Sequence, residues 1–421
     1  MTIETTERPQ EAGQLSDWLA EQYRAVRAAT SRLCEPLVTE DYLIQSMPDV
    51  SPTKWHIAHT TWFFETFVLS ALPDYKPFHP AYSYLFNSYY NAVGRRWARA
   101  NRGLLSRPTV QDVIDYRAYV DAQMERLLER LDTLPLDPNV LILGLHHEQQ
   151  HQELMVTDIK HVFSINPLDL VYRAALPARR GAAPLRWNAF PGGVCEIGYA
   201  GDDFAFDNES PRHRVYVEPF ALGSRLVTNG EWLAFMADGG YKQPLIWLSD
   251  GWATVNAQDW DSPLYWEQRD GEWWQYTLAG MRPVDPDEPV CHVSFYECDA
   301  YARWAGARLP SEAEWEIAAA AAPIAGNFVD DGHYHPVPAG ESSQIYGDVW
   351  EWTASPYTAY PGYRPAAGAL GEYNAKFMCN QMVLRGGSCA TPRSHIRPTY
   401  RNFFPPDARW QFMGLRLAKD A

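Results

Sequence analysis

From Gln14 to about Leu37, apolar residues fall at Leu15, Trp18, Leu19, Tyr23, Val26 and Leu33. Those steps of three and four residues lay one stripe along a helix. Ser51-Pro52 reads as a cap with proline in the first turn of a second helix, through Leu69. Thr109 caps a third, whose face carries Val113, Tyr116, Val120, Met124, Leu127 and Leu131. Asn139 opens a fourth that runs to about Phe163. Four such helices with one long connection, residues 71–108, predict a four-helix bundle over residues 14–165.

The pattern changes at residues 166–186, where Pro167, Pro177, Pro184 and Arg179-Arg180-Gly181 mark a linker. From 187 to 421 the chain shows short strand-like pieces, many turn signals and many tryptophans. Two helices stand out, near Thr228–Asp238 and Ser294–Ala305. This half reads as α+β, and no short-period repeat is visible.

Composition narrows the function. Lys plus Arg total 36 and Asp plus Glu 52, for a net charge of −16 with no basic block. Such a surface repels nucleic acid and anionic membranes, so neither is an expected partner. No apolar run approaches the ~20 residues of a membrane span. The start, MTIETTERPQEAG, lacks the apolar stretch of a signal peptide. The six cysteines are scattered without a C-x-x-C, which suits reduced thiols in the cytoplasm and no thiolate zinc site. The 17 Trp, 24 Tyr and 17 Phe suit cation recognition on aromatic faces.

Histidine carries the strongest chemical signal. Seven of the twelve precede residue 162, five of them in two short clusters. In His146-His147-Glu148-Gln149-Gln150-His151, His147 and His151 are one helical turn apart and can hold one ion. Glu148 stands where a His-Glu-x-x-His metalloprotease keeps its general base. That chemistry also needs a third ligand and an edge strand beside the helix, and a bundle offers no such strand. Trp55-His56-Ile57-Ala58-His59 puts further imidazoles on the second helix, and inward groups on two bundle helices can share a metal. Imidazole ligation alone does not choose zinc over iron.

His59 in W-x-x-A-H, the His147/His151 pair and Asn87-Ser88-Tyr89-Tyr90-Asn91-Ala92-Val93-Gly94 together resemble the ergothioneine-biosynthetic sulfoxide synthases. The first half resembles their DinB-like bundle. The second half resembles a C-type-lectin-like formylglycine-generating-enzyme (sulfatase-modifying) domain. Its markers are Phe190-Pro191-Gly192-Gly193, the run Arg308 to Glu316, Gly347-Asp348-Val349-Trp350-Glu351-Trp352 and Leu384-Arg385-Gly386-Gly387-Ser388.

The resemblance implies non-haem iron(II), O2, a thiol and hercynine, the trimethylated betaine of histidine. A bond forms from sulfur to the imidazole carbon between the ring nitrogens, and the sulfur becomes a sulfoxide. It implies His59, His147 and His151 as iron ligands. Gln150 would meet the hercynine imidazole, and Asn402 and Phe403 its carboxylate and trimethylammonium end, with Phe404 and Trp410 as further aromatic walls. The second domain would wall the substrate tunnel. A phenol near the iron would donate the proton or hydrogen atom. Tyr90 is favoured over Tyr89, since neighbours in extended chain point opposite ways.

Relatives using γ-glutamylcysteine keep an acidic residue after the asparagine–aromatic pair. Phe404 stands there, which favours free cysteine. Among Arg95, Arg96, Arg99, Arg102 and Arg107, Arg102 or Arg96 would take the cysteine carboxylate. A selenium donor, γ-glutamylcysteine, an O2-independent thiol transferase and a lectin-like binding module remain the alternatives. Cys379 and Cys389 read as structural.

Overall fold

The computed structural model describes residues 8–9, 12–173, 181–340 and 343–421. Most of the N-terminal segment and residues 174–180 of the expected linker, Pro177 and Arg179-Arg180 included, lie outside them. The chain forms two compact units. One holds residues up to Ile165 together with 201–204 and 365–373. The other holds 166–200, 205–364 and 374–421.

The first unit is the helical bundle: α1 Ala12–Cys34, α2 Thr53–Phe67, the short α3 Tyr82–Leu85, α4 Val110–Leu128 and α5 Pro138–Ser164. α1 and α2 each pack on both α4 and α5. Local chemistry sets the ends. α1 stops at Cys34 rather than Leu37 because Pro36 cannot continue a helix. Thr109 caps α4 as expected: its hydroxyl accepts from Asp112 N at 3.1 Å, and the Asp112 carboxylate accepts from Thr109 N at 2.8 Å. α5 begins earlier than Asn139, on the cap Asp137 with Pro138 in its first turn. Ser51 is not the cap of α2; Pro52 holds that position without a side-chain bond. α2 ends at Phe67, and a 3₁₀ turn Leu69–Ala71 follows.

α2 is the central element, with every residue from Thr53 to Glu65 buried. Most of its polar side chains find partners, though the buried Trp62 indole N–H has none. The Lys54 ammonium donates to the carbonyls of Leu105 and Pro108, and burial lowers its pKa to about 8. The Glu65 carboxylate accepts from the Tyr75 and Tyr116 hydroxyls, each at 2.6 Å. Gly144 of α5 lets the two helices meet closely. A Cβ there would stand 2.6 Å from a ring carbon of Phe64 and 3.0 Å from one of Phe63.

The second unit is α+β. A four-stranded sheet runs in the order 402–404, 382–385, 350–356, 413–414, and a three-stranded sheet in the order 187–190, 220–223, 418–420. Thr228 and Ser294 cap α6 Asn229–Ala237 and α8 Phe295–Trp304 through capping boxes. The structure adds α7 Ser249–Ala257 and α9 Glu312–Ala319, neither expected as helices. The domain markers turn out to be scaffold. Ser311 caps α9 in a box with Glu314, and Arg308 pairs with Glu314 at 2.7 Å. Trp350 and Trp352 are buried on their strand, and the Glu351 carboxylate between them takes both Arg416 and the Trp315 indole N–H. Gly386 and Gly387 have φ of +98° and +81°, a backbone that side chains disfavour. None of the six cysteines forms a disulfide; Cys389 is buried and Cys379 exposed. Among the described residues no helix is long and apolar enough to cross a membrane.

Candidate metal centre

His59 on α2 and His147 and His151 on α5 converge, with one ring nitrogen of each within 4.8 Å of the others. His59 and His147 are buried, and His151 is partly exposed. Burial holds His147 down to about 3 and lowers His59 and His151 well below the ordinary imidazole value, with their neighbouring imidazoles adding to the effect on the latter two. Neutral imidazoles carry the lone pairs that a metal needs.

The rings are locked in place. The His59 ring lies parallel to Trp55 at 4.6 Å and to Trp62 at 5.4 Å. Its Nδ1 is 2.6 Å from the Phe86 carbonyl, which can only accept, so the hydrogen sits on Nδ1 and Nε2 is left bare. That Nε2 faces the Nε2 of His147 at 3.2 Å. Two nitrogens bound at right angles to one ion with ~2.1 Å bonds would stand about 3.0 Å apart. The buried Nδ1 of His147 has no hydrogen-bond partner. The donor set and spacing fit a single ion held by three imidazoles.

Glu148 takes no part. Its fully buried carboxylate accepts from Arg27 at 2.9 Å, Arg117 at 2.7 Å and Thr30 at 2.6 Å. Those partners hold its pKa near 2 against the opposing effect of burial. Committed to two guanidiniums in the bundle core, it is not the general base of a metalloprotease.

Tyr89 and Tyr90 do not point opposite ways. Their rings lie 4.6 Å apart at 30°. The cause is a turn rather than extended chain: the Asn87 side chain accepts from Tyr90 N and donates to the carbonyls of Tyr90 and Gly94. Tyr90 packs on Trp62 and Phe67 and is fully buried, with no well-formed hydrogen bond from its hydroxyl. Burial, and then the phenols of Tyr89 and Tyr373, raises it well above the ordinary phenol value.

Tyr373 is a residue that sequence reasoning missed. Its ring is 5.9 Å from His147 and 6.4 Å from Tyr89, and its hydroxyl donates to the Gln150 side chain. Glu372 anchors it, accepting from Asn91 N at 3.0 Å and Ala92 N at 2.7 Å. No motif surrounds it in the chain, and its position depends on a contact spanning more than 200 residues.

Of the two candidate arginines, Arg96 is exposed, with Nη1 3.4 Å from the Ser88 carbonyl. Arg102 is buried. Its guanidinium lies 3.2 Å from the Trp55 ring centre and donates to the Ser51 hydroxyl at 2.8 Å. Its Nε has no partner, and among the described residues it has no carboxylate in ion-pair range. In the other unit, Phe403 stacks on Tyr357 at 4.0 Å and Phe404 meets Trp410 edge-on at 5.8 Å. The Asn402 side chain accepts from Phe403 N.

Both halves of the chain match known families. Residues 22–155 match the DinB superfamily, and residues 187–343 and 332–421 match the sulfatase-modifying factor enzyme 1-like domain. A hercynine oxygenase of Mycolicibacterium thermoresistibile is 34% identical over 409 residues, 89% of this chain and 88% of that one. One of Mycolicibacterium smegmatis is 34% identical over 440 residues, 96% and 98% of the two chains. The chain belongs to the hercynine oxygenase family. It is thus an enzyme, an oxygenase. The second unit alone also resembles a formylglycine-generating enzyme of Streptomyces coelicolor, 29% identical over 299 residues, 58% of this chain and 92% of that one.

Proposed function

We propose that this family member is a cytoplasmic, ferrous- and O2-dependent synthase joining free cysteine to hercynine. The balance is hercynine C–H, cysteine S–H and O2 giving the hercynyl–cysteine sulfoxide and water. C–S bond formation and S-oxygenation each remove two electrons, and O2 takes up all four. The observation that carries this reading is the three-imidazole cluster of His59, His147 and His151. Three neutral donors leave a dicationic ion with open positions, and the oxygenase activity that the relatives' names carry favours redox-active iron over zinc at such a site. Bound ferrous iron would supply O2 activation and a thiolate at neutral pH.

The chain's own residues do the rest. Gln150, steered by Tyr373, orients the hercynine imidazole. In the second unit, the Asn402 amide suits a carboxylate, and the Phe403 and Phe404 faces suit a trimethylammonium group, which cannot donate an N–H bond. Arg102, buried and with no carboxylate in ion-pair range among the described residues, supplies the partner for the cysteine carboxylate. Phe404, which cannot pair with an amine, supports cysteine over γ-glutamylcysteine. Tyr90 holds the transferable hydrogen, with Tyr89 beside it.

The test is anaerobic loading with ferrous iron, then O2, hercynine and either cysteine or γ-glutamylcysteine, with products read by mass spectrometry. Hercynylcysteine sulfoxide from cysteine, formed only with O2, is the expected result. Product formed without O2, or no O2 uptake with either thiol, contradicts it.

A further inference from the structure

The metal-site cluster holds a fourth imidazole that binds nothing in the scheme above. His56 lies three residues before His59 on α2 and is buried. Its Nδ1 is 2.8 Å from His151 Nδ1, and its Nε2 is 2.9 Å from Asp158 Oδ2. Both ring nitrogens are engaged, so His56 is no ligand. Asp158 lies seven residues beyond His151 on α5, and its Oδ2 also accepts from Ser51 N at 2.8 Å. The row Asp158–His56–His151 therefore leaves α5, crosses to α2 and returns to α5 at a ligand.

We infer that His56 and Asp158 are positioning residues that fix the hydrogen of His151 on Nδ1 and aim its Nε2 at the metal. The assignment, which rests on the metal-centre reading above, follows from hydrogen-bond direction alone. His151 Nδ1 faces another nitrogen, so the atom left to coordinate is Nε2, which must then be bare. The His151 hydrogen is accordingly on Nδ1, and His56 Nδ1 accepts it. The single hydrogen of neutral His56 is then on Nε2, where a carboxylate oxygen waits. Every nitrogen in the row has one consistent role. His59 reaches the same end differently, through the Phe86 carbonyl. Partners of this kind fix the ring and raise ligand basicity, and their loss costs about 10–100-fold in metal affinity.

The experiment measures anaerobic Fe2+ and Co2+ affinity by chelator competition in the full-length chain. It compares wild type, His56→Ala, Asp158→Ala and His56→Asn, with the metal-free melting temperature and the Co2+ absorption spectrum alongside. An asparagine places Oδ1 where the histidine places Nδ1, so His56→Asn keeps an acceptor for His151. Both alanine variants should bind roughly 10–100-fold more weakly, while His56→Asn stays near wild type in affinity and Co2+ spectrum. Alanine variants that bind like wild type overturn the relay, as does a His56→Asn variant as weak as His56→Ala at an equal metal-free melting temperature. A wild-type chain that binds neither ion overturns the metal centre itself, and the relay with it.

Discussion

Single residues decide the chemistry, and two of them make opposite demands on stability and turnover. The Tyr90 hydroxyl is fully buried without a well-formed bond, so Tyr90→Phe removes an unsatisfied polar group. Its unfolding free energy should stay equal or rise, while kcat falls by about 10²–10⁴ if the phenol delivers a proton. A matched loss of stability and activity would show Tyr90 to be packing only. Arg102 makes the other demand. Arg102→Met keeps an apolar stem near Trp55 but loses the charge. A charge-assisted hydrogen bond is worth about 1.5–3 kcal/mol, so KM for cysteine should rise roughly 10–100-fold with Fe2+ affinity nearly unchanged. An unaltered KM would remove Arg102 from the thiol pocket. Residue type and spacing singled out the His147/His151 pair and set His56 and His59 together on the second helix; the family resemblance chose His59 as the third ligand. Nothing in the sequence gave the role of His56, whose two bonds depend on how α2 and α5 are rotated about their axes. Adjacency in sequence misjudged Tyr89 and Tyr90 because the Asn87 turn overrides the alternation of an extended strand.

At the scale of elements, α5 has two working faces. One presents His147 and His151; the other sends Glu148 to Arg27 and Arg117. That buried cluster pins the helix rotation that aims the ligands. Glu148→Gln takes the anion from the buried Arg117 guanidinium and leaves Arg27 with Asp121 alone, and should cost about 3–5 kcal/mol in denaturant unfolding. At a temperature where the variant is folded, it should still load iron, and loss of turnover with undiminished stability would restore the general-base reading. The helix stripes of α1 and α4 were legible because one face is solvated. α2 was recognisable more by its proline than by its period, being buried on all sides. α7 and α9 are short, and the capping box that starts α9 was visible in Ser311 and Glu314 but read only as a family marker. Residues 365–373 join the helical unit through contacts no local pattern announces.

For the whole molecule, buried histidines tie stability to pH. His56, His59, His147 and His151 all have lowered pKa values, chiefly from burial. An unfolded chain protonates them near pH 6.5, whereas the fold keeps them neutral until lower pH. Their contribution is therefore complete above about pH 6.5 and is lost as pH falls toward the folded values. For His147 alone, going from pH 8 to pH 5.5 removes roughly 1.4 kcal/mol. Urea unfolding of the metal-free chain should show at least that loss, and His147→Phe a smaller one. A stability independent of pH over this range would mean that the imidazoles are solvated. Protons and metal compete for the same nitrogens, so iron loading should weaken along the same course.

The central claim is one ferrous ion on three imidazoles. Iron K-edge X-ray absorption of the anaerobically loaded chain tests it directly. The account predicts nitrogen scattering with the outer-shell pattern of three imidazole rings, reduced by one ring's contribution in any His59→Ala, His147→Ala or His151→Ala variant that still retains iron. A spectrum dominated by sulfur or carboxylate ligands, or one unchanged by those substitutions, would contradict it.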